Sequence, residues 1–392
     1  MDIRFSRRAG HLNPSPIRNK MFDAPDIISF SAGKPDAAFF PWEELTPLVQ
    51  DVLEKNNMAA LQYSSSEGLP ALRKVIADKL MKNWGVNTDA ESITMTSGSQ
   101  EGIEMSARLF VNDGDAIIVE RPSYTGAYTS FQFYDPRYIS VPMDEEGMLP
   151  DALEEALKNN HDAKLIYTVP DFQNPTGITM GGSRRRRVAE LAAKYRVPVV
   201  EDCPYSDLLY DGERSPVIKG YDEEGWVITL GTFSKVFCPG MRLGWICADR
   251  QLAEKYALIK QGTNLQSGTL DQYITLSYLE NHDINERIRA LRDIYRVRRD
   301  LMLHCIEEYF PKDVRYIKPV GGFFIWVELR DDIDTEPLLY DAAAKIKVTF
   351  VPGAHFFAEG TPHNYLRLSY SSVSEEQIKE GISRLGGLLH GL

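Results

Sequence analysis

Lys235 lies in the segment Thr232-Phe233-Ser234-Lys235, and Arg242 follows seven positions later. An amine can condense with an aldehyde, while two hydroxyls and a guanidinium can hold a phosphate. That pairing suits a Schiff-base site for pyridoxal phosphate (PLP). Taken alone, Lys235 reads as a solvated loop lysine, because most lysines lie at the surface. The reading changes with the company it keeps along the chain.

Four other apolar runs each end in a group fit for the same ligand. Ile93-Thr94-Met95 leads to Ser97-Gly98-Ser99-Gln100, where a glycine turn and a helix start would offer free amides to a phosphate. Ile117-Ile118-Val119-Glu120 leads to Tyr124, an aromatic able to stack on a pyridine ring. Leu165-Ile166-Tyr167-Thr168-Val169 leads to Asn174, a donor for a phenolate oxygen. Val199-Val200 leads to Asp202, whose carboxylate is costly beside a buried strand unless a cation such as a pyridinium meets it. Tyr205, three residues on, is a second phenolate donor. Singly, these residues read as a helix cap, a packed tyrosine, a Pro-Thr-Gly turn and a strand end. Together, in this order, they read as one site.

These positions need a scaffold that brings strand ends together. In open α/β sheets ligands bind outside the carboxyl ends of the strands. Strands are expected at Ser92–Met95, Ala116–Glu120, Lys164–Val169, Pro198–Glu201, Trp226–Leu230 and Leu243–Ala248, alternating with helical patterns such as Ser183–Tyr195. This predicts a mostly parallel central sheet in a large domain. A helix rich in Arg, Glu and Leu is expected from about Asp283 to Tyr309 and, at 1.5 Å per residue, spans roughly 40 Å. Strand-like runs at Phe323–Glu328, Val348–Val351 and Tyr365–Ser369, with a helix over Ser374–Leu389, predict a smaller α+β domain. We divide the chain at 1–40, 41–295 and 296–392, the first segment packing with the small domain and over the site.

Bulk properties bound the function. The chain has 392 residues, 43% hydrophobic and 26% charged, an ordinary globular balance. A net charge of -12 argues against nonspecific nucleic-acid binding. Cys203, Cys238, Cys247 and Cys305 form no CxxC pair and no metal-finger spacing, and reduced, buried thiols are expected. Neither a signal-peptide core nor a membrane-spanning run is present, so a cytoplasmic protein is expected.

With Asn174-Pro175-x-Gly177, Asp202-x-x-Tyr205 and Ser234-Lys235 followed by Arg242, nearly the whole chain resembles the fold-type I PLP-dependent aminotransferases of class I/II. Within that class it most resembles the 2-aminoadipate/kynurenine branch, on the further segments Ser15-Pro16-Ile17-Arg18, Leu61-Gln62-Tyr63-Ser64 and Leu366-Arg367-Leu368-Ser369-Tyr370. The resemblance implies that Lys235 carries the cofactor and Asp202 keeps its ring nitrogen protonated. Asn174 and Tyr205 would bond the phenolate and Tyr124 would stack on the ring. Ser99, Gln100, Thr232, Ser234 and Arg242 would hold the phosphate. Tyr63 would reach the phosphate from a partner subunit in a homodimer. Arg367 would grip the substrate α-carboxylate, Gly33 would lie against the substrate, and Arg18 would meet a distal carboxylate. The implied reaction carries an amino group from an L-amino acid to a 2-oxo acid.

Lys34, Asp171 and Thr232 depart from the family's usual residues, the first two at positions that bear on side-chain preference. A PLP-dependent lyase or decarboxylase could use the same lysine. A regulator with an aminotransferase-like domain needs a DNA-binding head of roughly 70 residues, and about 25 precede the matching part. A catalytically dead scaffold is disfavoured by the full set of cofactor-contacting groups.

Overall fold

The computed structural model describes residues 3–14, 24–359 and 361–392. Its centre is an eight-stranded sheet: β1 (Ile93–Thr96), β2 (Ala116–Arg121), β3 (Arg137–Asp144), β4 (Gly147–Met148), β5 (Ala163–Thr168), β6 (Val199–Asp202), β7 (Val227–Thr232) and β8 (Gly244–Cys247). The spatial order is β1-β8-β7-β6-β5-β2-β3-β4. The run β7-β6-β5-β2-β3 is parallel. β8 lies antiparallel to both β1 and β7, and β4 closes the far edge antiparallel to β3.

Successive strand residues face opposite sides of a sheet, and the core divides accordingly. Ile117, Val119, Leu165, Val200, Ile228 and Leu230 pack on one face. Ala116, Ile118, Ile166, Val199 and Val227 pack on the other, against Val188, Leu191 and Ala192 of a helix over Gly182–Tyr195. Both faces are covered, which is why these strands read as nearly continuous apolar runs. The six expected strands all form, shifted by a residue or two. β3 and β4 lacked so clear a signal because β3 is a half-exposed strand carrying Arg137, Ser140 and Pro142.

A second sheet of four antiparallel strands has the order β9-β10-β12-β11: β9 (Arg315–Tyr316), β10 (Phe324–Glu328), β11 (Val351–Pro352) and β12 (Tyr365–Ser369). The single strand expected over Val348–Val351 is in fact two pieces. Val348–Thr349 pairs in parallel with Ile28–Ser29, and β11 pairs with β12. The long helix runs from Ile284 to Tyr309 and ties the two regions by arginine. Arg287 donates to the carbonyls of Val236 and Phe39, Arg298 to that of Ser371 and Arg299 to that of Pro319.

The first forty residues split. Arg7 and Arg8 pair with Asp113 on the large-sheet side, whereas Phe30 bonds Thr349 and Ser369 in the second region. All four cysteines are buried and free. Among the described residues no helix is long and apolar enough to cross a membrane.

Candidate active site

The five carboxyl-terminal strand ends meet at one cavity of about 390 Å³, within the range of small-ligand sites. Its walls include Ser99, Gln100, Tyr124, Asn174, Asp202, Tyr205, Thr232, Ser234, Lys235 and Arg242. Arg242 reaches it for a topological reason. β8 runs opposite to β7, so the residue just before β8 lies at the end of the sheet where β7 finishes.

At the phosphate-sized end, Gly98 turns with φ +84° into the helix Ser99–Phe110. A Cβ there would stand 2.6 Å from Arg242 Nη2, so only glycine lets the guanidinium close over the turn. Arg242 donates to Ser97 O at 3.0 Å and Ser234 Oγ at 3.4 Å, and Thr232 Oγ1 donates to Ser234 Oγ at 3.0 Å. Two hydroxyls, a guanidinium and a helix N-terminus thus converge where an anion fits. The Gln100 side chain departs from expectation. Its amide donates to Gly126 O and Ser130 Oγ, both at 2.6 Å, and its carbonyl accepts from Tyr124. With both ends engaged, Gln100 offers a phosphate its main-chain N–H rather than its side chain.

Asp202 ends β6 and is 2% exposed. Its Oδ2 accepts from Tyr167 at 3.1 Å, while Oδ1 is buried without a partner. Burial lifts this carboxyl to about 6. An orphaned, buried carboxylate oxygen on a cavity wall calls for a cationic donor, and a protonated pyridine nitrogen is one. The neighbouring Glu201 is satisfied instead by Ile218 N, Lys219 N and Thr229 Oγ1 and serves the fold.

Lys235 donates from Nζ to Gly33 O at 2.8 Å, and Nζ lies 5.6 Å from the Tyr205 ring centroid. Burial, reinforced by Arg367 and Arg242 against the pull of Asp202, lowers its amine to about 8. Tyr205 packs edge-on against Phe323 and Phe324 at 5.4 and 5.7 Å. Arg367, on β12, is 1% exposed and donates to Asn174 Oδ1 at 2.7 Å and Ser31 O at 2.6 Å. The bond to Oδ1 leaves the Asn174 amide nitrogen as the donor toward the cavity. Arg367 Nε is buried without a partner, and burial draws this guanidinium down to about 10.

Tyr63 does not line the cavity and is 78% exposed. Arg18, with the rest of Ser15–Arg18, lies outside the described residues. Lys34, singled out in the sequence as a departure, lines the cavity together with Pro35, which the sequence did not mark. A second feature was not expected. Buried Glu120, raised to about 7 by desolvation, binds Thr168 Oγ1, Val169 N and Gln173 Nε2, and Gln173 braces the loop through Thr176. The signal for Glu120 was available, since a carboxylate closing an apolar run is what drew attention to Asp202.

The residues fit PLP in each part: an anion cradle, an orphan carboxylate oxygen, two phenolate donors and a half-buried amine of lowered basicity. Comparison with known proteins agrees. The family model for aminotransferase class I and II matches residues 25–385. The chain is 41% identical to an aromatic-amino-acid aminotransferase of Thermococcus litoralis, covering 97% of this chain and 93% of the relative. It is 37% identical to a 2-aminoadipate transaminase of Thermus thermophilus, covering 99% and 97%. The crystal structure of a Pyrococcus horikoshii kynurenine aminotransferase, with PMP, substrate and product, superposes with a TM-score of 0.94 at 40% identity, covering 99% and 97%.

Proposed function

The chain belongs to the class I and II aminotransferases and is a PLP-dependent transaminase, and from that premise we propose which residues do the work and on what. The proposed donors are 2-aminoadipate, glutamate-like, aromatic or branched L-amino acids, and the proposed acceptor is 2-oxoglutarate. The observation that carries this is that Asp202 Oδ1 and Arg367 Nε are both buried without a hydrogen-bond partner, in two residues whose charges both act on the Lys235 amine.

When bound, PLP supplies an aldehyde that captures amines and a protonated ring that takes up the electron pair released at the substrate α-carbon. Asp202 holds the proton on the ring nitrogen. Asn174 and Tyr205 would donate to the phenolate, and Tyr124 would stack on the ring. Ser99, the Gln100 amide, Thr232, Ser234 and Arg242 neutralise the phosphate. Arg367 fixes the α-carboxylate, which sets the Cα–H bond against Lys235. Lys235 Nζ, in its unprotonated form, would then move the α-proton as general base and acid, and Gly33 lets the substrate lie close. We assign 1–40 as a segment packing with the small domain and over the site, 41–295 as the cofactor domain and 296–392 as the small domain.

We also place the enzyme in the cytoplasm, consistent with four unpaired cysteines, and in a homodimer to which Tyr63 contributes across the interface. Exposed Met58, Leu61 and Tyr63 support the dimer, for which sedimentation should give twice 44.4 kDa. Arg18 remains a proposed contact to a distal carboxylate.

Initial-rate kinetics with varied amino acid and 2-oxoglutarate test the reaction. Parallel double-reciprocal lines and glutamate formation are expected. Release of carbon dioxide without amino transfer would establish the decarboxylase reading instead.

A further inference from the structure

The cavity wall carries three cations, Lys34, Lys235 and Arg242, against one carboxylate, Asp202. The proposed chemistry occupies three of these four: Lys235 at the aldehyde, Arg242 at the phosphate and Asp202 at the ring nitrogen. Lys34 is left over. Lys34 is exposed and lines the cavity, and among the described residues no acceptor pairs with its ammonium.

Its position is fixed by its backbone. Arg367 Nη2 donates to Ser31 O at 2.6 Å, and Lys235 Nζ donates to Gly33 O at 2.8 Å. Ser371 Oγ donates to Lys34 O at 2.7 Å, Pro35 is buried, and Asp36 is held by Arg298 at 2.7 Å. The segment 31–36 therefore passes, in order, the group for the α-carboxylate, the reacting amine and then the spare ammonium. On the proposed assignment, a substrate gripped by Arg367 with its α-carbon at Lys235 would extend its side chain along the wall that Lys34 lines. Lysine is a compact charge on a flexible stem, suited to follow chains of different length.

We infer that Lys34 receives the distal carboxylate of dicarboxylic substrates, acting as a specificity-determining residue for acidic donors and for the 2-oxo diacid acceptor. This rests on the assignment of Arg367 and Lys235 proposed above. Apolar and aromatic donors make no use of the ammonium, and the lysine can swing aside to solvent for them.

The test compares holoenzyme carrying Lys34→Met, Lys34→Arg or Arg18→Ala with the unmodified enzyme. Binding of glutarate, a dicarboxylate without a reactive amine, is measured by calorimetry beside 4-methylpentanoate, a monocarboxylate. Half-reaction rates with glutamate and leucine are measured in parallel. Lys34→Met should weaken glutarate and raise KM for glutamate roughly tenfold, the scale of one charge-assisted hydrogen bond. The monocarboxylate and leucine should be unaffected, and Lys34→Arg should restore the preference. An unchanged glutarate-to-monocarboxylate ratio in Lys34→Met overturns the inference. So does equal weakening of both ligands, which would mark a merely structural role, or loss of the whole preference in Arg18→Ala alone. If the unmodified enzyme binds glutarate but transaminates nothing, the proposed reaction fails while the binding ratio still judges Lys34.

Discussion

Burial lowers the basicity of the Lys235 amine, to about 8 against an ordinary value of 10.5. The sign follows from linkage. Below about 8 both folded and unfolded chains hold the proton, and the cost of burying the charge is fully present. Between about 8 and 10.5 the unfolded chain alone keeps it, so this group's contribution to stability improves as pH rises. For the cofactor-free protein, capture of added PLP should accelerate through pH 8, followed by absorbance in a stopped-flow instrument. Acceleration only near 10.5 would show that the amine is solvated. Lys235, Asp202, Asn174 and Tyr205 were legible in sequence because each is a reactive or polar group at the end of an apolar run. The double engagement of the Gln100 side chain was not, since its partners Gly126 and Ser130 come from a later helix brought alongside by packing. Lys34 stood out as a departure, but only the bond from Lys235 to Gly33 O places it beside the reacting amine.

The turn from β1 into the helix Ser99–Phe110 shows what an element adds to its residues. Gly98→Ala would place a left-handed φ on a residue with a side chain and a methyl 2.6 Å from Arg242 Nη2. The strain alone is about 1 kcal/mol or more, and with Arg242 displaced the PLP dissociation constant should rise roughly tenfold. The kcat at saturating PLP should change little. Gly387→Ala, whose added Cβ meets nothing within 4 Å, should leave both unchanged and serves as the control. Equal PLP affinity in the two variants would contradict the cradle. Strand positions were legible from periodicity, but strand direction was not. The run at β8 is as apolar as the parallel strands of the sheet, and its reversal is what carries Arg242 to the cavity. The break at Phe350 was equally hidden, because it arises from two different pairing partners, Ile28–Ser29 and β12.

Across the molecule, the site joins two bodies of structure. The residues proposed to hold the cofactor stand at the ends of the eight-stranded sheet, while Arg367 comes from β12 and Gly33 from the segment that links to it. The long helix braces both through buried and half-buried arginines, which explains why an arginine-rich pattern there formed a packed element rather than a solvated one. The central claim is that this assembly holds PLP on Lys235 and passes amino groups through it. The most direct test is the absorbance spectrum of the purified protein, titrated with 2-aminoadipate, glutamate, kynurenine and leucine in turn. A band near the visible edge should disappear with a donor, return on adding 2-oxoglutarate, and be missing from Lys235→Ala. A protein that develops no such band with added PLP, or a Lys235→Ala variant that behaves like the unmodified chain, would contradict the account.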